Sequence, residues 1–261
     1  MNGVLVQSTS RDQIDRRDSS RAPCAGTSLR VETATRVGAR RGFSLLELIV
    51  VLAVAVILTG LMLPALAMVR ENVNRVVSAS NLRQIGFGTI MYDRDFGGAL
   101  PHSHLLEVRD QPHEMMTVHL DDPSEWDGLG HLYSWRYVDT FEVFYNPSHR
   151  GLHPVERYRE AWTMPTDQKI VTNYHYGGHL DWQTRKPKRL DSETIVIATD
   201  GLRTQMDFSH ETGMNILRGD ASVRWLEDGA NVAGLLPASE SDVPAENYRG
   251  IWNTIEAAKP Y

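Results

Sequence analysis

Arg40-Arg41-Gly42-Phe43-Ser44-Leu45-Leu46-Glu47-Leu48-Ile49-Val50-Val51 opens the stretch on which the reading of this chain turns. From Leu48 to Val69 there are 22 consecutive residues without a charge, and a helix of roughly 20 apolar residues spans the hydrocarbon core of a bilayer. A buried helix of a soluble protein would show a polar stripe at 3.6-residue spacing, and this run has none before Arg70. The expectation is a membrane-spanning helix over 43–69. Upstream lie Arg36, Arg40 and Arg41, with no acid between Glu32 and Glu47. Positive flanks stay on the cytoplasmic side, so a single pass with a cytoplasmic N-terminus and an extracytoplasmic remainder is expected.

One carboxylate, Glu47, sits at the start of this apolar stretch. An ionised acid near the centre of a spanning helix costs about 2.5–3.5 kcal/mol on insertion scales, so something must offset it. Phe43 lies four residues earlier, one helical turn away. Were the chain cut between Gly42 and Phe43, a new α-amine would face Glu47, and the positive N-terminal end of the helix would favour the same charge.

Arg40-Arg41-Gly42-Phe43-Ser44-Leu45-Leu46-Glu47-Leu48 closely resembles the class III signal of type IV prepilins and type II secretion pseudopilins. The resemblance implies that a prepilin peptidase removes a basic leader, residues 1–42, by cutting after Gly42 and methylates the amine of Phe43. It also implies that Glu47 is the fifth-position acid needed for assembly and that Pro64 is the helix-bending proline. The implied partners are other pilin or pseudopilin subunits, the inner-membrane assembly machinery and the membrane itself. A conventional secretory signal with a small-x-small site at Ala65-Leu66-Ala67 is the competing reading, but it leaves Glu47 without a role. The leader is long for the family. Residues 1–28 need not be translated, since a non-ATG start at Leu29, Val31 or Val37 would leave a short basic leader without Cys24.

Composition points the same way. With 261 residues, 41% hydrophobic and 23% charged, most of the chain reads as a soluble domain with a sizeable core, which excludes disordered, collagen-like and multi-span classes. The net charge is −6 although residues 1–42 carry eight Arg against four acids, so the basic part is the leader and nucleic acid is not the main partner. Cys24 is the single cysteine, which rules out an internal disulfide, a cysteine-based zinc site and an iron–sulfur cluster.

Beyond Val69 the apolar residues Val73, Val76, Val77, Leu82, Ile85 and Ile90 recur mostly in threes and fours, predicting an amphipathic continuation of the helix over 70–98. Asp93, Asp95, Gly97, Gly98 and Pro101 supply its stop. Residues 99–261 form the extracytoplasmic domain. Short-period alternation at Thr172–Tyr176, Thr194–Ala198, Asn215–Leu217 and Ser222–Leu226 predicts strands, the last two paired as a hairpin around Gly219-Asp220-Ala221. The fold class is therefore α+β and pilin-like, with the amphipathic half of the long helix packed on an antiparallel β-sheet. Pro101 to Asp127 reads as loop, and Glu227 to Tyr261 as a polar irregular tail.

Further motifs resemble a branch of pilin-like proteins abundant in planctomycete-type bacteria and marked by a C-terminal His, nine residues, Asp-Gly signature. They are Asn81-Leu82-Arg83-Gln84-Ile85-Gly86, then Val143-Phe144-Tyr145-Asn146-Pro147-Ser148, and His210 nine residues before Asp220. The chain departs from that pattern twice. Asn146 stands where the branch places a cysteine, so the disulfide that cysteine could make is lost. Ala221 replaces the signature glycine, which is expected to move the turn onto Gly219, because a residue with a Cβ resists positive φ.

His210 with Asp220 could be an oriented general base, but no Ser or Cys nucleophile sits in a recognisable motif. The pair reads as a structural pin across the hairpin, and the protein as non-enzymatic. His102-x-His104 and His175-Tyr176-Gly177-Gly178-His179 raise a metal site without specific spacing, and Asp93-x-Asp95 lacks the distal Glu of a calcium loop. No metal or cofactor is expected. Trp126, Trp135, Trp162, Trp182, Trp225 and Trp252 are assigned first to packing, and Arg185-Lys186-Pro187-Lys188-Arg189 to a solvated loop. The alternative function is a monomeric membrane-anchored binding module for metal or polysaccharide.

Overall fold

The computed structural model describes residues 42–121, 125–164, 167–190, 195–210, 212–227, 229–239 and 245–258. The leader up to Arg41, Cys24 and the expected strand start at Thr194 lie outside the described residues. The chain divides into two units, Met1–Val51 and Leu52–Tyr261.

In the first unit the described residues are the N-terminal turns of helix α1 (Leu45–Asp95). Ser44 caps it: its carbonyl accepts from Leu48 N at 3.2 Å and its hydroxyl from Glu47 N at 3.3 Å, satisfying donors a helix start leaves open.

In the second unit, α1 changes character along its length. Every residue from Leu52 to Arg70 is exposed, and from Ser78 onward one stripe is buried: Ser78, Leu82, Ile85, Gly86, Gly88, Thr89 and Tyr92. This differs from the apolar stripe expected. Val73 and Val76 are exposed, Val77 nearly half so, while Ser78, Gly86 and Thr89 take their place inward. The inner face is selected by close approach and polar pairing as well as by hydrophobicity. A Cβ on Gly86 would lie 2.8 Å from Leu217 Cδ1 and 2.9 Å from the Cβ of Ala221, so only glycine lets the helix come this near the sheet. The helix stops where expected, with Gly98 N donating to Asp93 O at 2.7 Å and Gly97 and Gly98 at positive φ, a conformation natural to glycine.

The sheet beneath α1 is an antiparallel meander of β3 (Tyr174–Tyr176), β4 (Val196–Asp200), β5 (Met214–Arg218) and β6 (Val223–Leu226), in that spatial order. Alternation along β3 sends its side chains to opposite faces. Tyr174 reaches Ser78 of α1, its hydroxyl 3.1 Å from Ser78 Oγ, whereas His175 stacks on Tyr248 and faces Trp252. β5 and β6 form the expected hairpin, with Leu217 opposite Val223.

The loop reading of Pro101–Asp127 is corrected. That stretch holds α2 (His104–Glu107), a 3-10 turn at Pro112–Glu114 and β1 (Thr117–His119), which pairs antiparallel with β2 (Ile170–Val171). Elements of three or four residues are too short to show a period. After them come α3 (Gly130–Ser134) and α4 (Val155–Tyr158).

The irregular reading of the tail is also corrected, by α5 (Gly229–Leu235) and α6 (Ala245–Ala257). In α6, Tyr248, Ile251, Trp252 and Ile255 are buried, the i, i+3, i+4, i+7 stripe of an amphipathic helix. The aromatic residues mostly pack as expected. Trp162 is ringed by Tyr133, Phe141 and Phe144 at centroid distances of 4.8, 5.7 and 5.4 Å, and Trp182 stacks on Trp252 at 4.9 Å. Trp135 stays exposed.

Candidate functional site

The N-terminal segment carries its chemistry in the open. Gly42 is exposed, Phe43 is 76% exposed, and Glu47 lies exposed in the first turn of α1, where the helix dipole favours a negative charge. The polar side chain of Thr59 is satisfied within the helix, its hydroxyl donating to Ala55 O at 2.8 Å. Pro64 lies inside α1 and brings no N–H, so the carbonyl of Gly60 loses its usual donor. Among the described residues α1 is the one helix long and apolar enough to cross a membrane. The uncharged, exposed apolar surface from Leu48 to Val69 is unfavourable in water at roughly 25 cal/mol per Å², so it requires lipid or other apolar helices around it.

Where α1 meets the sheet, its first polar residues enter a buried network centred on Asn146. The Asn146 amide donates to Asp200 Oδ1 at 2.8 Å, and it lies 3.1 Å from Ser78 Oγ and 3.2 Å from His210 Nε2. Asn146 Oδ1 accepts from Ser148 N at 2.8 Å. Asp200 also accepts from Ser78 Oγ at 2.8 Å and from Asn215 N at 2.5 Å. Nδ1 of His210 meets Glu71 Oε1 at 2.5 Å, and Ser148 Oγ donates to Glu71 Oε2 at 2.9 Å. Arg75 lies over the Trp225 ring, 3.5 Å from its centroid.

Burial pushes the Asp200 carboxyl up from its ordinary value against the pull of His210 and its hydrogen-bond donors. For Glu71, burial raises the pKa, but the bonds from His210 and Ser148 and the charges of His210 and Arg150 outweigh it and hold the carboxyl below the usual range. The network clamps the lower packed turns of α1 onto the domain.

Residues 38–63 match the family model described as the prokaryotic N-terminal methylation motif. The chain is thus type IV pilin- or pseudopilin-like. No curated protein and no solved structure matches it. Motif and apolar helix together are those of a membrane-anchored pilin-like protein, and proteins bearing this motif are structural subunits processed by a prepilin peptidase.

The pin expected between His210 and Asp220 in this pilin-like chain is not formed. His210 turns to Glu71, Asn146 and Asp200, while Asp220 Oδ1 accepts from Ser222 N at 2.8 Å within the turn. A hydrogen bond from the Ser222 side chain leads the effects that hold the Asp220 carboxyl below its ordinary value, and the backbone bond adds to it. The reason is local: an Asp in a turn satisfies backbone two residues on, and the buried imidazole needs acceptors that an exposed turn cannot supply.

The turn shift expected from Ala221 is corrected as well. Ala221 itself takes φ +62°, and Gly219 is not among the residues at positive φ. Ala221 N donates to Arg218 O and Arg218 N to Ser222 O, both at 2.9 Å. This is a three-residue hairpin whose last residue must be left-handed. Burial of the Ala221 methyl against Gly86 and the pairing of the two strands hold the strained conformation.

The histidine motifs assemble differently from their spacing. His102 joins His179 and Glu107, which lies 3.8 Å from His179 Nε2, while His104 has its backbone N–H on Asp127 Oδ1 at 2.5 Å. The trio has the ligand types for a divalent cation. However, His179 Nδ1 accepts from Ser103 N at 3.1 Å, so the neutral ring carries its proton on Nε2 and directs it at Glu107. Burial drives the His179 pKa down to about 4. The cluster as arranged is satisfied by protons.

The basic run 185–189 is tied into the fold. Arg185 donates to the carbonyls of Leu106 and Glu107, both at 2.8 Å, and Lys188 pairs with Glu256 at 3.1 Å.

Proposed function

We propose that this chain is a non-enzymatic pilin or pseudopilin subunit, cleaved after Gly42 and N-methylated at Phe43 by prepilin peptidase. It is held in the bacterial inner membrane with its N-terminus cytoplasmic and its domain periplasmic. It then assembles through the N-terminal helix, with like subunits, into a type IV pilus or a type II secretion pseudopilus. The observation that carries this reading is the fully exposed apolar surface from Phe43 to Val69 with a single carboxylate one turn from Phe43. Helices in a bilayer associate by close packing and polar pairing rather than by the hydrophobic effect. A neighbour's Phe43 amine is the partner that neutralises Glu47. The exposed Val73 and Val76 extend the apolar face past the first charged residues, as a helix-to-helix seam requires.

The mature N-terminus, read by mass spectrometry, tests the processing: a chain beginning at methylated Phe43 is expected, and one beginning at Met68 would sink the reading. Crosslinking through residues 48–69 separates a subunit from a monomeric anchored binding module. Ladders are expected for the former and a single monomer band for the latter.

A further inference from the structure

A cavity of about 740 Å³ opens beside α1 at the point where its apolar run ends, lined by Ala67, Met68, Arg70, Asn72, Asn74, Ser148, His149, Arg150 and Thr212 among others. Its volume falls within the roughly 300–1,000 Å³ of ligand sites. The lining is graded along the helix, with apolar Ala67 and Met68 toward the run and two arginines, the Glu71 carboxylate and several neutral hydrogen-bonding side chains beyond it.

In its wall the side chain of His149 is 3% exposed, and among the described residues neither ring nitrogen makes a hydrogen bond; Nε2 lies 3.8 Å from Asp207 Oδ1, which likewise makes none. An unsatisfied buried polar group costs about 1–3 kcal/mol, and Asp207 Oδ1 is the acceptor that stands opposite the ring. Burial pushes its pKa down to about 4, leaving a neutral imidazole with one N–H to give.

One carboxylate, that of Glu71, is part of the lining. Glu71 is engaged by His210 and Ser148. Asp207, outside the lining, has Oδ1 3.8 Å from His149 Nε2 and its other oxygen accepting from Thr204. Arg70 and Arg150 are the cations facing the cavity.

We infer that this cavity holds the phosphate of an anionic phospholipid headgroup while the apolar helix lies in the bilayer. Lipid surrounds residues 48–69 in that state, so headgroups stand at the level of Arg70. Arginine binds phosphate through a planar fork of donors, and Asn72, Asn74 and Thr212 supply neutral donors. Ala67 and Met68 meet the first acyl carbons. A zwitterionic choline headgroup would set its ammonium against Arg70 and Arg150, so an anionic lipid is preferred. The inference rests on the membrane anchoring proposed above and not on fibre assembly.

The test uses the full chain in nanodiscs of mixed phosphatidylglycerol and phosphatidylcholine, with the lipids retained on extraction counted by native mass spectrometry. Enrichment of phosphatidylglycerol is expected, falling about five-fold for each of Arg70→Gln and Arg150→Gln. It should persist, at a lower level, in the Arg70→Lys/Arg150→Lys variant, which keeps the charge but not the fork and controls for folding. Equal retention of the two lipids by the wild type, or enrichment unchanged in the glutamine variants, overturns the proposal. So does inorganic phosphate alone if it raises the Tm of the detergent-solubilised chain as much as phosphatidylglycerol does, since the source is then free phosphate. A chain that fails to enter nanodiscs at all removes the anchoring itself, an outcome distinct from insertion without lipid preference.

Discussion

Glu71 and His210 are 139 residues apart in sequence and 2.5 Å apart in space, Oε1 to Nδ1. Glu71 lies on α1 within two residues of the end of the apolar run, and His210 is buried just before β5. A displacement of α1 at this level therefore has to break a charge-assisted hydrogen bond inside the domain.

Because removing one partner strands a buried polar group, Glu71→Ala and His210→Ala should each lower the domain's stability by about 1–3 kcal/mol. A double-mutant cycle between them should show coupling. By contrast, His210→Ala and Asp220→Ala should add to within about 0.5 kcal/mol, since these two side chains share no contact. Urea denaturation of the three single and two double variants decides it, and non-additivity between His210 and Asp220 would restore the hairpin pin. EDTA should leave the wild-type Tm unchanged. A Tm lowered by EDTA in the wild type but not in His210→Ala would make the site a ligand cluster.

Gly86 carries the closest approach of α1 to the sheet. Gly86→Ala gains about 1 kcal/mol of helix propensity but drives a methyl to 2.9 Å from Ala221 Cβ. Overpacking costs about 1–3 kcal/mol, so a net loss is expected. Gly86→Leu should leave too little folded domain to measure. A thermal melt of Gly86→Ala above wild type would mean the helix can shift outward without penalty.

Trp252 is buried against Trp182 and beside His175, with its indole N–H donating to Glu256 at 2.8 Å. Trp252→Ala should cost about 3–5 kcal/mol, which identifies the C-terminal helix α6 as part of the core. A loss within experimental error would show α6 to be dispensable.

Acid should destabilise the domain through its buried histidines. Burial lowers the pKa of His149 to about 4 and that of His175 to about 3, both below the ordinary value near 6.5. Between those limits the unfolded chain binds more protons than the folded one, so stability rises with pH and is lost as pH falls from about 6.5 to about 4. The two rings together account for on the order of 5 kcal/mol across that window. His175→Leu should flatten the pH dependence of the Tm; a slope identical to wild type would remove His175 from the account.

For Glu47, both Glu47→Ala and Glu47→Gln should insert into membranes as well as wild type or slightly better, since the buried charge is gone. Neither should be recovered in sheared fibres. Fibres containing either variant at wild-type levels would end the charge-pairing role.

The membrane helix, its terminator at Gly97-Gly98, the hairpin of β5 and β6 and the processing motif were legible in the residues, because each is a local pattern. An uncharged run, a stop signal, an alternation and a nine-residue signal all lie within a single element. Tertiary structure decided what depends on contact between distant segments. It turned Ser78, Gly86 and Thr89 inward while leaving Val73 and Val76 outside, because room and hydrogen-bond partners on the sheet choose the face. It gave His210 to Glu71 and Asn146 rather than to Asp220, since a buried ring takes acceptors from whatever packs on it. It also held Ala221 left-handed, where local preference favoured glycine, because strand pairing and the Gly86 contact outweigh a single residue's backbone preference. The stripe Tyr248-Ile251-Trp252-Ile255 was present in the sequence but diluted by polar neighbours, and it became visible as a helix only once the partners it packs against were in place.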